Sequence, residues 1–99
     1  MKVTLVASRV KYYSLEDERD FFAWLKRVRG IERVFGVGND LNIIIHVKSL
    51  PVEDITELIA VFRRYRIKLE QLAQLRVPEN SEWFDKNRKT FWYKRLFPD

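Results

Sequence analysis

The sequence predicts an α+β fold with the element order βαββα. Three observations support this prediction. The stretch 31–47, IERVFGVGNDLNIIIHV, contains two β-rich arms around Gly38, Asn39 and Asp40, which tolerate positive φ and favour a tight turn. Apolar residues recur at helical spacing both before and after this hairpin. Prolines and glycines mark the ends of these segments, so a strand, a helix, a hairpin and a second helix follow one another.

The first strand is expected in the segment 2–13. Val3, Leu5 and Ala7 lie on one face, and Val6, Val10 and Tyr12 lie mostly on the other. Apolar side chains on both faces predict a central strand that is covered on both sides.

The segment 14–30 predicts the first helix. Ser14 is the expected N-cap, the acidic residues after it suit the positive end of the helix dipole, and Gly30 is the expected C-cap. The apolar face consists of Phe21, Phe22, Leu25 and Val28.

The second helix is expected after Pro51, which ends the hairpin. Its apolar face consists of Ile55, Leu58, Ile59 and Phe62. After a bend, the leucines of segment 69–75 resume an apolar period and predict a further helix, which Pro78 ends.

The segment 81–99 is both aromatic and basic. Its aromatic residues are Trp83, Phe84, Phe91, Trp92, Tyr93 and Phe97. Disordered tails are poor in such residues, so this segment is expected to pack on the rest of the chain.

Together the elements predict a single α+β domain over residues 1–99. The order is that of a split βαβ, ferredoxin-like sheet with its helices on one face. The aromatic segment, together with the helix at 69–75, is the expected cover for the open face, and a homodimer or a partner protein is the alternative cover.

Composition excludes several kinds of site. The 99 residues contain no cysteine, which rules out a thiol nucleophile, a disulfide and a thiolate metal site. His46 is the only histidine, so there is no Ser-His-Asp set and no transition-metal motif. The glycines of the GVG at 36–38 lie in a hairpin, which does not fit a phosphate loop. We therefore expect a non-enzymatic protein without a cofactor or metal.

No apolar stretch approaches the roughly 18 residues of a membrane span. The sequence thus predicts a cytoplasmic protein without a membrane partner.

The formal net charge of +5 is distributed evenly along the sequence, because both halves carry a small basic excess. Two local clusters stand out as candidate binding residues. The acidic cluster could bind a hard cation or an Arg-rich partner, although helix capping also explains it; it consists of Glu16, Asp17, Glu18 and Asp20. The basic cluster could bind a polyanion; it consists of Arg63, Arg64, Arg66 and Lys68.

Nucleic acid binding is the alternative functional hypothesis, after the toxin inhibition described below. The strand at 41–47 lacks the aromatic residues of an RNA-recognition motif. The segment 57–95 resembles a helix-turn-helix, with Ala73 in its first helix, although Val77 and Pro78 occupy the turn where such motifs usually place glycine.

Three blocks resemble a family of small, uncharacterised bacterial proteins that accompany polymorphic-toxin loci. The blocks are YYSLEDE with FFAWL (12–25), ELIAVFRRY (57–65) with QLAQL, and WF with FWYKRLF near the end. In that family a glycine commonly follows the tyrosine at the helix end, where this chain has Arg66. The resemblance implies an immunity protein that neutralises a cognate toxin by direct binding. Since this chain is basic, the implied toxin is acidic or contacts the acidic cluster.

Overall fold

A computed structural model describes residues 1–98. The strands are β1 (Lys2–Ser8), β2 (Ile31–Val37) and β3 (Asp40–His46), and the helices are α1 (Leu15–Arg27), α2 (Val52–Arg64), α3 (Ser81–Lys86) and α4 (Tyr93–Leu96). Two 3₁₀ segments, Val47–Ser49 and Leu69–Leu75, complete the described elements. The predicted α+β class is confirmed.

The sheet has three strands in the order β1-β3-β2, and both pairings are antiparallel. The hairpin lies where the sequence predicts it, and Gly38 has a φ of +60° at the first turn position, where glycine is favoured. In the register, Ile43 pairs with Leu5 on one side and with Val34 on the other. The isoleucine-rich arm therefore forms the centre of the sheet.

The prediction that β1 is a central, doubly covered strand is wrong. β1 is an edge strand, and its outward residues are exposed, with Val6 at 36%. Val3, Leu5 and Ala7 face the core, which α1 and α2 complete. β3 lies between β1 and β2, so the strand whose Ile43 and Ile45 are fully buried takes the central position.

Ser14 caps α1 as predicted, because its hydroxyl accepts a hydrogen bond from the Asp17 backbone N–H at 3.1 Å. The helix ends at Arg27, however, so Gly30 is not its C-cap. Gly30 has a φ of +95° in the turn to β2, and a Cβ there would lie 3.0 Å from the Leu50 Cβ. Glycine is therefore favoured at position 30, because Leu50, which follows β3, packs closely against it.

The helix expected at 69–75 forms as a 3₁₀ helix, Leu69–Leu75. Its buried residues are Leu69, Leu72 and Leu75, spaced by three. Three residues per turn place all of them on one face. The same segment covers the edge of β1: the Gln71 amide donates to the Val6 carbonyl at 2.8 Å and accepts from the Val6 N–H at 2.7 Å.

The aromatic segment packs on the domain through α3 and α4. Phe84, Trp92 and Leu96 are buried, and the rings of Trp83 and Trp92 stack with centroids 5.7 Å apart. The segment packs against Leu69–Leu75 rather than over the outer face of the sheet, so that part of the prediction is wrong.

The helix-turn-helix alternative is not supported by this geometry. Its first helix is the 3₁₀ segment, and its recognition helix is α3, which has six residues and buries Phe84. A buried aromatic side chain is unavailable to a DNA groove. Among residues 1–98, no helix has the length and apolar character needed to cross a membrane.

Candidate anion-binding surface

The C-terminus of α2 ends in a Schellman motif that presents a group of arginines. Arg66 has a φ of +58°, its N–H donates to the Arg63 carbonyl at 3.3 Å, and the Ile67 N–H donates to the Phe62 carbonyl at 2.8 Å. Ile67, which follows Arg66, is buried in the core, whereas the side chains of Arg63, Arg64 and Arg66 are exposed.

A depression of about 480 Å³ lies between this helix end and the residues that follow β1. Four cationic side chains line it: Arg9, Lys11, Arg64 and Arg66. Asp17 is the one carboxylate in its lining.

Asp17 is held by two neighbouring tyrosines. The Tyr65 hydroxyl donates to Asp17 Oδ1 at 2.9 Å, and the Tyr13 N–H donates to Oδ2 at 3.0 Å. Burial, and then the hydrogen bond to Asp17, raises the pKa of Tyr65, which therefore stays a neutral donor at ordinary pH. These hydrogen bonds hold the Asp17 carboxylate in place in the lining of the depression.

A second depression, of about 800 Å³, adjoins the first at Arg66. Its cationic side chains are Arg63, Arg66, Lys68 and Arg95, and Glu70 is its one carboxylate. We call the seven cationic residues of both depressions the basic surface; they are Arg9, Lys11, Arg63, Arg64, Arg66, Lys68 and Arg95.

Most of the basic surface lacks acidic partners. Within residues 1–98, only Arg95 of this set forms an ion pair, with Glu70 at 3.6 Å. Elsewhere Arg29 pairs with Asp54 and Arg76 with Asp85. Apart from Arg95, the cations of the basic surface therefore have no ion-pair partner in the described part of the chain, and their charge is available to an external anion.

The positive charge of the chain is concentrated here in space. When the residues lining the two depressions are set aside, the remaining basic and acidic residues of the chain are equal in number. The even distribution along the sequence thus becomes a local excess in the fold.

Two residues of the basic surface have unfavourable backbone conformations. Arg9 and Arg66, with φ of +51° and +58°, are the non-glycine residues at positive φ within residues 1–98, and both line the first depression. A left-handed conformation costs an L-residue about 1–2 kcal/mol. Such strain clusters at functional sites, so arginine at both positions favours a role for the charge.

The four acidic candidates do not converge on one point. Glu16 pairs with Arg19 at 2.8 Å, and Asp17 faces Tyr65. Burial, and then the negative charge of the nearby Glu18, raises the pKa of Tyr12 to about 12. Asp20 is exposed beside Trp24 and Arg27. Within residues 1–98, no group of three or more metal-ligating side chains could hold a metal ion.

His46 lies on the sheet, away from the basic surface. Its Nε2 contacts Glu32 at 2.5 Å, and Lys2 Nζ contacts the same carboxylate at 3.1 Å. Hydrogen bonds from His46 and then from Lys2 lower the pKa of Glu32. His46 thus belongs to a polar group on the sheet with Glu32 and Lys2.

Comparison with protein-family models, with curated proteins and with solved structures finds no match to this chain. The resemblance to proteins of toxin loci stays an expectation from the sequence.

The sequence locates part of the basic surface, namely the cluster at 63–68 and the basic C-terminal segment. It gives no signal for Arg9 and Lys11, which lie more than fifty residues before that cluster and join it only through the fold.

Proposed function

We propose that this chain is a non-enzymatic binding protein that recognises a polyanion through the basic surface. One observation carries the proposal: six cations that form no ion pair within residues 1–98 line two adjoining depressions. Unpaired cations at a concave surface raise the local concentration of anions, and contacts to phosphates release counterions. The proposal includes a cytoplasmic location.

The test is a charge-reversal triple variant, Arg63→Glu, Arg64→Glu and Arg66→Glu, compared with wild type for binding of labelled duplex DNA and heparin. Each cation near an anionic surface contributes about 1 kcal/mol, so affinity should fall about 100-fold. The matched control reverses Lys26, Arg33 and Lys48, which are exposed and lie outside the basic surface. An equal loss in both triple variants would reduce the effect to net charge and sink the proposal.

A second candidate function is immunity-type inhibition of a cognate toxin. It is favoured by the exposed side chains of Tyr13 and Leu15, at 80% and 74%, beside the acidic cluster. Tyrosine and arginine are frequent in the energetic centres of protein interfaces, and a basic surface steers an acidic partner.

Affinity capture from nuclease-treated lysate at moderate salt tests this second candidate. The supporting result is one stoichiometric protein that is toxic when expressed alone and harmless when co-expressed with this chain. Retention of nuclease-sensitive nucleic acid alone would remove the support for it. A homodimer is a third candidate, which sedimentation of the purified protein tests.

We also propose that the sheet with α1 and α2 is a ferredoxin-like unit. Support comes from β1 and β2, which run in the same direction on either side of β3, the order of a split βαβ. A fourth strand is absent from residues 1–98.

A further inference from the structure

Two exposed aromatic side chains border the basic surface. Among the exposed large apolar side chains of residues 1–98, Tyr13 and Phe91 are the aromatic ones, at 80% and 64% exposure. Tyr13 lines the first depression. Phe91 contacts Arg63, which lines the second.

Each of these rings is paired with a cation of the basic surface. Lys11 Nζ lies 5.4 Å from the Tyr13 ring centroid, and Arg63 Cζ lies 5.6 Å from that of Phe91. A cation over one face of a ring leaves the opposite face to solvent. Both rings are therefore exposed next to Lys11 and Arg63, which form no ion pair within residues 1–98.

The exposure of Phe91 contrasts with the rest of the aromatic segment. The adjacent Trp92 is 6% exposed, and its ring stacks on Trp83. Phe84 is fully buried and packs edge-on against both tryptophans. The fold buries these neighbouring rings and leaves Phe91 beside Arg63.

We infer that the polyanion is a single-stranded nucleic acid, whose phosphates contact the basic surface and whose bases stack on Tyr13 and Phe91. This inference rests on the proposed function and deepens it. Base stacking on aromatic side chains beside a cationic groove is the general mode of single-strand binding. A duplex keeps its bases stacked internally, and α3, the recognition helix of the helix-turn-helix alternative, is six residues long and buries Phe84. Stacking reads no base edges, so sequence preference is weak.

The test measures fluorescence anisotropy of a labelled single strand of about 12 nucleotides, within the range covered by one small domain, and of a duplex of equal length. Tyr13→Ala and Phe91→Ala should each weaken single-strand binding about tenfold, the worth of stacking one base, and leave duplex binding within about twofold. Tyr13→Phe should bind as wild type because it keeps the ring.

Leu15→Ala and Val37→Ala are the matched controls, since both side chains are exposed and apolar but lack a ring; they should not change binding. Thermal melts confirm that the variants fold. Polyglutamate serves as the acidic-peptide probe and should bind less tightly than the single strand.

The outcomes distinguish a failure of single-strand binding from a failure of polyanion binding. Equal binding of single strand and duplex that is insensitive to Tyr13 and Phe91 overturns the single-strand inference and leaves polyanion binding standing. Binding of polyglutamate as tightly as the single strand overturns it too, and points to an acidic protein partner. Absence of binding to every probe overturns both proposals.

Discussion

Arg66 combines an unfavourable backbone conformation with a central place in the basic surface. It occupies the C′ position of a Schellman motif, where glycine is the usual residue. We expect Arg66→Gly to stabilise the fold by about 1 kcal/mol, because glycine adopts positive φ without strain, and to weaken polyanion binding. Urea denaturation and the anisotropy assay measure the two effects.

Arg66→Ala is the control, since it removes the same charge but keeps the Cβ. It should weaken binding equally and leave the unfolding midpoint near that of wild type. If the alanine variant were as stable as the glycine variant, charge repulsion rather than backbone strain would explain the gain.

Asp54 is the buried charged residue of the described chain, with 6% exposure. The Arg29 side chain donates to it through Nε and a terminal nitrogen, both at 3.2 Å, and the Arg29 backbone N–H donates as well. Hydrogen bonds from the Arg29 side chain lower the pKa of Asp54 and outweigh the opposing effect of burial. This contact joins the end of α1 to the start of α2.

We expect Asp54→Asn to lower the free energy of unfolding by about 2 kcal/mol at neutral pH, the worth of hydrogen bonds to a charged group. Because the pKa of Asp54 is lower in the folded state, its stabilisation is present above the unfolded pKa and is lost as pH falls through the folded pKa. The gap between wild type and variant should therefore narrow below about pH 4. A gap that stayed constant down to pH 2 would contradict the role of the charge.

At the scale of elements, the 3₁₀ segment Leu69–Leu75 protects the edge of the sheet. The Gln71 amide satisfies both backbone groups of Val6, as a neighbouring strand would. We expect Gln71→Ala to destabilise the fold by about 1 kcal/mol and to speed hydrogen exchange at the Val6 amide. The side-chain amide of Gln74 donates to the nearby Gln71 carbonyl. The control variant Gln74→Ala should therefore leave hydrogen exchange at the Val6 amide unchanged.

The aromatic segment contains a matched pair of adjacent residues with opposite environments. Trp92 is 6% exposed and Phe91 is 64% exposed. We expect Trp92→Ala to cost about 3–5 kcal/mol, since it leaves a cavity against Trp83 and Phe84. Phe91→Ala should change the unfolding midpoint little. Comparable losses from both substitutions in chemical denaturation would mean that Phe91 is part of the core.

At the scale of the whole molecule, the fold concentrates the net charge on one surface. Binding of a single strand should weaken as salt rises, with a log–log slope of about −0.7 per phosphate contacted. We expect Arg66→Gln to reduce the magnitude of that slope by about 0.7, whereas Lys48→Gln, outside the basic surface, should not change it. A titration series in salt measures both. An unchanged slope in Arg66→Gln would exclude a phosphate contact by Arg66.

Local patterns made much of the fold predictable. The Ile43–Ile45 run, the Gly38 turn and the Ser14 cap each specify their own conformation through neighbouring residues, and each forms as predicted. The many aromatic residues of segment 81–99 predicted that it packs on the domain, because such side chains favour a buried environment. Of the candidate site, the sequence supplied only the contiguous cluster at 63–68.

The remaining features depend on contacts between distant residues. β1 is an edge strand because β3 lies between it and β2 in the sheet. The 3₁₀ form of Leu69–Leu75 places its three leucines on one face, towards the core. Arg9 and Lys11 meet Arg64 and Arg66 only when β1 and α2 are packed. The sequence by itself determined the hairpin, α1 and α2, because capping, turns and periodicity act within a few residues. The tertiary structure decided the basic surface, because charges far apart in the chain become neighbours only through the register of the sheet and the packing of the helices.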